Sequence, residues 1–167
     1  FLPGVEGSGF DNSHRGNRAV HFAGGRLKTE LPELGEKFSI ELWVWNGFPT
    51  DVRDVTGHLL AFHSDATGEN SQPDALQVSL AGKGDNAGKL MLVSDGPKSQ
   101  TLFGKTALSL KQWQHLVLVQ DAQGLRVYLN GKPEPEINAQ GLKANVNQTL
   151  YFAGNSQDPV SAEEQNK

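Results

Sequence analysis

The sequence predicts an all-β protein built as an antiparallel sandwich of two sheets. Its hydrophobic residues alternate with a period of two, whereas an amphipathic helix would have a period of 3.6. Short β-rich segments recur along the chain between Gly, Asn, Asp and Pro residues, and two turn sequences join consecutive segments into hairpins. Because such a meander needs a second sheet to cover its apolar face, we expect a sandwich.

Length and composition show which classes of protein and partner are compatible with this fold. With 167 residues, 37% of them hydrophobic, the chain can form a single domain over residues 1–167 with a substantial core. Its net charge of −4 comes from interspersed charges, so we expect no nucleic-acid partner. The absence of cysteine excludes disulfides and thiolate sites, and no apolar run is long enough to span a membrane. Because the chain begins with Phe1, we expect a part of a longer protein.

The clearest strand covers Phe38–Trp45. One of its faces carries Phe38, Ile40, Leu42 and Val44, and the other carries Ser39, Glu41, Trp43 and Trp45. Because both faces include large apolar groups, we expect this strand to be central and at least partly covered on both sides.

Eight shorter segments are also predicted as strands. They are Ala19–Phe22, Arg26–Leu31, His58–His63, Ala75–Leu80, Lys89–Ser94, Gln114–Gln120, Leu125–Leu129 and Thr149–Ala153. Asp121–Gly124 is expected to be a hairpin loop, and Asn130-Gly131 can form a type I′ turn after the strand that precedes it. Residues 155–167 form a polar tail.

Several of these segments together resemble a known family. The Phe38–Trp45 strand is followed by Trp113-Gln-His-Leu-Val and by Leu125-Arg-Val-Tyr-Leu-Asn-Gly131, in an order similar to that of laminin G-like domains of the concanavalin A-like superfamily. The resemblance covers roughly Arg18–Gly154 and implies a concanavalin A-like jelly roll. It also places Trp113 and His115 in the family signature, so their role is expected to be structural.

One departure from the family concerns the C-terminal end. Laminin G-like domains usually continue with a Gly-x-Ile/Leu-Asp-Glu-Val strand, and nothing after Gly154 matches it. Either the chain stops short of this strand, or the sheet edge is closed in another way, or Arg18–Phe22 supplies the missing strand.

The sequence offers little for catalysis. The superfamily also contains β-glucanases, which need two acidic residues close together. Glu41 has Ser39 and Trp43 as its neighbours on the same strand face, so it has no acidic partner there. Glu134 and Glu136 alternate with Pro133 and Pro135, which favours an extended loop over a pair of carboxylates on a sheet. We therefore expect a protein that is not an enzyme.

Metal ligands are equally sparse. His58 and His63 are five residues apart, so in a regular strand they point to opposite faces. The sequence does offer candidate ligands for a structural calcium ion, because carboxylates and amides in loops are suitable calcium ligands. The candidate ligands are Asp65, Glu69 and Asn70 in one loop and Asp85 and Asn86 in another. No other cofactor is expected.

A glycan site needs an aromatic surface for the sugar ring and polar groups for its hydroxyls. Trp45 ends a strand, and Phe48 follows in the loop that contains Asp51 and Arg53. Asp65 and Asn70 are further candidates for the polar part of the site. The alternative is that Trp43, Trp45 and Trp113 fill the sandwich, as aromatic residues in strands often do.

The leading hypothesis is a non-catalytic recognition module that binds carbohydrate or another extracellular polymer. It would be an accessory domain beside neighbouring domains of a longer chain. The alternatives are a protein-interaction or structural module and, second, a β-glucanase-like glycoside hydrolase. The family resemblance implies an extracellular, cell-surface or periplasmic location.

Overall fold

The computed structural model describes residues 2–5, 17–23, 25–31, 34–63, 76–95, 99–144 and 149–154. These residues form strands and their connections, and none of them lies in a helix that could cross a membrane. The strands are β1 (Leu2–Pro3), β2 (Arg18–Ala19), β3 (Leu27–Glu30), β4 (Phe38–Trp45), β5 (Val55–His63), β6 (Leu76–Ala81), β7 (Lys89–Ser94), β8 (Gln100–Ala107), β9 (Trp113–Asp121), β10 (Gly124–Leu129), β11 (Ile137–Gln140) and β12 (Thr149–Phe152).

The strands form two main antiparallel sheets and one small one. The larger sheet has six strands in the order β3-β12-β5-β6-β7-β8, and the facing sheet has four in the order β11-β10-β9-β4. Strands β1 and β2 pair separately. The predicted two-sheet sandwich is therefore confirmed.

The core lies between the two main sheets. The larger sheet contributes fully buried side chains such as Phe62, Leu76 and Leu92, and the smaller sheet contributes Leu118 and Val127. In β9 the burial alternates strictly, because every second side chain points into the sandwich.

A buried carboxylate links the sheets at one side. Glu136 precedes β11 in the smaller sheet and is only 6% exposed. Its Oε2 accepts hydrogen bonds of 2.8 Å from the backbone N–H groups of Lys105 and Thr106 in β8, and its Oε1 accepts one of 2.8 Å from the Thr106 hydroxyl. Burial alone would raise the pKa of Glu136, but these hydrogen bonds stabilise the ionised form and the net effect lowers the pKa.

Most predicted strands are present with shifted ends. The hairpin at Asp121–Gly124 is found, with its first and last residues paired. Asn130 and Gly131 both have positive φ, of 53° and 69°, as a type I′ turn requires. Strands β8 and β11 were not predicted, and residues 20–22 of the predicted Ala19–Phe22 strand lie outside β2.

The predicted central position of β4 and the alternative that the tryptophans fill the sandwich are wrong. Among the described residues, β4 is at the edge of its sheet and pairs with β9, so it is not central. Its outer face is only partly covered, as expected, since Trp43 is 37% exposed and Trp45 is 42% exposed. Trp113 is half-buried and lies opposite Trp45, outside the core, so these indoles do not fill the sandwich. The suggestion that Arg18–Phe22 supplies the closing strand also fails, because β2 pairs with β1.

Candidate ligand-binding site

An open cleft of about 1480 Å³ follows the edge of β4. It is bounded by β4 and the loop after it, by β2 and residues 20–23, by the first half of β5, and by the end of β12. The cleft exists because β4 has no further strand beside it within the described chain.

Apolar and aromatic side chains form much of the lining. Leu42 and Val44 reach it from the inner face of β4, and Phe152 reaches it from β12. Aromatic rings line the cleft around the end of β4, and they come from Trp43, Trp45, Phe48 and Trp113. The indole of Trp45 lies against Gly47, where a Cβ would come within 2.5 Å of its ring.

Hydrogen bonds hold the start of the β4–β5 loop, residues 46–54. The side-chain Oδ1 of Asn46 accepts a hydrogen bond of 3.1 Å from the Phe48 N–H, which closes a local turn. The Asn46 carbonyl accepts a second hydrogen bond, of 2.8 Å, from the Lys111 N–H. Phe48 is therefore presented from a fixed backbone.

The end of the same loop is fixed by the β6–β7 turn. The Gly82 N–H donates to the Asp54 carbonyl at 2.8 Å, and the Lys83 N–H donates to the Arg53 carbonyl at 2.9 Å. The two backbones approach so closely that a Cβ on Gly82 would lie 1.6 Å from the Arg53 carbonyl oxygen. Only glycine fits there without displacing the loop.

Arg53 is the main polar group of the cleft. Its guanidinium lies 4.4 Å from the centre of the Phe48 ring, and its Nη2 donates to the Thr56 carbonyl at 2.5 Å. Burial lowers the pKa of Arg53 from its ordinary value, but the group stays charged at neutral pH because an arginine pKa begins above about 12. No carboxylate of the described chain forms an ion pair with it.

Two buried donors at the cleft have no hydrogen-bond partner among the described residues. They are the Nε of Arg53 and the Nδ2 of Asn46, and both residues line the cleft. Both nitrogens have almost no accessible surface, so an acceptor atom could reach either of them only after a local rearrangement of the loop.

The sequence-predicted ligand residues separate into three groups. Trp45, Phe48 and Arg53 are brought together at the cleft. Asp51 is exposed on the same loop and is not part of the lining. Asp65 and Asn70 lie outside the described residues.

The calcium hypothesis stays a prediction. Asp65 and Glu69 are outside the described residues, and Asp85 is exposed in the β6–β7 turn. The Oδ1 of the neighbouring Asn86 accepts a hydrogen bond of 3.1 Å from Lys89 Nζ. In the described ranges, no three His, Asp or Glu side chains are grouped as metal ligands would be.

The two strand histidines have separate partners. A register shift follows His58 in β5, so the simple alternation assumed for His58 and His63 does not hold. His58 Nδ1 is 3.0 Å from the Ser79 hydroxyl and also contacts Gln77, while His63 packs edge-on against Tyr151 at 6.0 Å.

Other residues of the site were missed from the sequence. Asn46 lines the cleft directly after Trp45, and the Asn-Gly-Phe-Pro turn that follows the strand was its available signal. The other missed lining residues with ionisable side chains are Arg18, His21 and His58.

A polar and aromatic group also occupies the outer face of the smaller sheet. The His115 ring stacks on Trp43 with 4.6 Å between ring centres, and its Nε2 is 2.8 Å from Glu41 Oε1. His115 therefore packs on the outer surface of the β4–β9 pair, outside the core.

Comparison with known proteins identifies structures with a similar fold. Among curated protein sequences, none matches the chain. Among solved structures, the chain is similar to domain 4 of AbnA, a GH43 extracellular arabinanase from Geobacillus stearothermophilus, determined in complex with arabinotriose. The two share 21% identity with a TM-score of 0.51, over 80% of this chain and 59% of that one.

A second solved structure is more distant. It is the native heptameric SAP-like pentraxin from Limulus polyphemus, with 17% identity and a TM-score of 0.43 over 86% of this chain and 70% of that one. The family model for laminin G domains of the Concanavalin A-like lectin/glucanases superfamily matches residues 16–164. The chain therefore belongs to this laminin G family.

Proposed function

We propose that this chain is a non-catalytic module that binds carbohydrate in the cleft beside β4. The observation that carries the proposal is the joint position of Trp45 and Phe48 next to the polar side chains of Arg53 and Asn46 in the lining of the cleft. A sugar ring has an apolar face that packs on an aromatic ring, and it has oxygen atoms that accept hydrogen bonds. One sugar can therefore contact both the aromatic and the polar side chains of the lining.

The arabinanase domain supports this choice of ligand class. That domain has a similar fold, and its structure was determined with arabinotriose. It is one domain of a larger extracellular enzyme, which supports an accessory role for this chain beside neighbouring domains and outside the cell. The present chain spans 59% of the length of that domain, so the comparison concerns the sandwich and not the whole protein.

The side chains of the cleft favour binding over hydrolysis. Glycoside hydrolases of the usual kind need two carboxylates on either side of the bond that is cleaved. The described lining of the cleft contains no Asp or Glu. Glu41 on the outer face contacts His115, and Glu136 is bound to β8. This arrangement supports a module without catalytic activity.

Isothermal titration calorimetry on the purified chain tests the proposal with soluble oligosaccharides, beginning with arabinotriose. We expect saturable binding that becomes at least about tenfold weaker in Trp45→Ala, or about 1.4 kcal/mol, because an aromatic anchor is lost. Phe103→Ala is the matched control, since Phe103 is 41% exposed on β8 and does not line the cleft.

Two results would contradict the proposal. One is the absence of saturable binding to a broad panel of oligosaccharides. The other is equal loss of binding in Trp45→Ala and Phe103→Ala, which would separate sugar binding from the cleft. Release of reducing sugars from a β-glucan by the unaltered chain would overturn its non-catalytic part.

A further inference from the structure

The described lining of the cleft is basic, although the chain as a whole is acidic. The chain has 15 Lys and Arg residues against 19 Asp and Glu residues. The ionisable side chains that line the cleft in the described residues are those of Arg18, His21, Arg53 and His58. The charge of this surface is therefore opposite to that of the rest of the protein.

Arg53 is the centre of this charge. Asp51 and Asp54 flank it in the loop, but both are exposed and neither lines the cleft. A half-buried guanidinium is costly to remove from water unless an anion or hydrogen-bond acceptors compensate it. In the described structure the Thr56 carbonyl accepts from Nη2, while Nε remains without an acceptor.

The charged group at the centre of the cleft is a donor. The guanidinium of Arg53 can donate and cannot accept, and no Asp or Glu among the described residues lines the cleft beside it. A neutral sugar hydroxyl both donates and accepts, so a site made for neutral sugars benefits from acceptors as well. A carboxylate has acceptors only, and its hydrogen bonds to a guanidinium are strengthened by charge.

We propose that the cleft selects acidic glycans, and that it binds the ring carboxylate of a uronic acid residue. The guanidinium of Arg53 donates to the carboxylate, and Trp45 packs against the sugar ring. This inference depends on the proposed carbohydrate binding and names the ligand class of that same site. The aromatic rim favours a sugar ring over an acidic peptide, since a peptide carboxylate needs no flat apolar partner.

The test compares two forms of one ligand with the complete chain. Trigalacturonate and its methyl ester have the same sugar rings and differ in charge, and arabinotriose serves as a neutral sugar. By calorimetry we expect trigalacturonate to bind about tenfold or more tightly than the ester, which corresponds to a charge-assisted hydrogen bond. This advantage should shrink as NaCl is raised from about 0.05 to about 0.5 M.

Variants assign the effect to the cleft. Arg53→Gln should weaken binding of the acid more than binding of the ester, so that the preference for the acid falls from about tenfold to about twofold or less, because the charge that recognises the carboxylate is lost. Lys143→Gln removes the same charge from an exposed residue away from the cleft and should retain the full preference. If Arg53→Gln does not fold by circular dichroism, Arg18→Gln takes its place, with a smaller loss of the preference expected.

Each remaining outcome decides the inference. Equal binding of acid and ester would overturn it and leave the carbohydrate proposal standing, whereas failure of all three sugars would remove the carbohydrate proposal as well. Tighter binding of a sulfated trisaccharide than of trigalacturonate would overturn the assignment to a carboxylate. Equal binding of a triglutamate peptide would overturn the assignment to a sugar, because the cleft would then recognise charge alone.

Discussion

A single carboxylate, Glu136, connects the two sheets on the side of β8. It is buried and accepts three hydrogen bonds, two from backbone N–H groups and one from the Thr106 hydroxyl. These bonds outweigh the unfavourable effect of burial and keep the pKa of Glu136 below its ordinary value. The ionised side chain therefore stabilises the folded state.

Replacing this carboxylate should make the protein less stable at neutral pH. We expect Glu136→Gln to lower the free energy of unfolding by about 1.5–3 kcal/mol at pH 7, because charge-assisted hydrogen bonds are lost. The folded-state pKa is depressed, so the contribution is complete above the ordinary Glu pKa and is lost as pH falls through the folded-state value. Urea unfolding at several pH values should show the difference between the two proteins shrinking in acid. Glu134→Gln, on the exposed side of the same loop, is the control, and an equal effect of both changes would contradict this role.

The β4–β5 loop positions the binding residues because its two ends are anchored to different elements. Asn46 holds the first part through its own turn and through Lys111. The β6–β7 turn holds the last part through Gly82 and Lys83. Because the loop is anchored at both ends, its polar side chains keep defined positions beside the open edge of β4.

The close approach of Gly82 makes this anchor testable. Gly82→Ala places a Cβ against the Arg53 carbonyl, so we expect a loss of about 1–3 kcal/mol in the free energy of unfolding, as for overpacked sites. The displaced Arg53 should also weaken glycan binding. Chemical denaturation and calorimetry measure the two effects, and Gly35→Ala is the control because a Cβ on Gly35 would meet nothing within 4 Å. Unchanged stability in Gly82→Ala would mean that the loop does not depend on this contact.

At the scale of the molecule, the sequence predicted the sandwich and most of its strands but misplaced β4. Alternation in Phe38–Trp45 identifies a strand and its two faces, yet it carries no information on how many strands lie beside it. Strand β8 was missed because Gly104 and polar residues interrupt its alternation. Trp45, Phe48 and Arg53 could be proposed together because they are close in sequence, whereas Arg18 and His58 reach the cleft only through the long-range pairing of the fold.

The position of Trp113 gives a test of the whole packing arrangement. As a core residue it would be expected to cost about 3–5 kcal/mol on replacement by Ala. The structure instead places it on the outer face, half-buried, while Leu118 of the same strand is 1% exposed in the core. We therefore expect Leu118→Ala to cost about 2–5 kcal/mol and Trp113→Ala at most about 2 kcal/mol. Calorimetric melting should show the larger fall in Tm for Leu118→Ala, since each kcal/mol corresponds to roughly 2–4 °C in a chain of this size. A larger fall for Trp113→Ala would place that indole between the sheets, and the face of β9 that lines the core would have to be reversed.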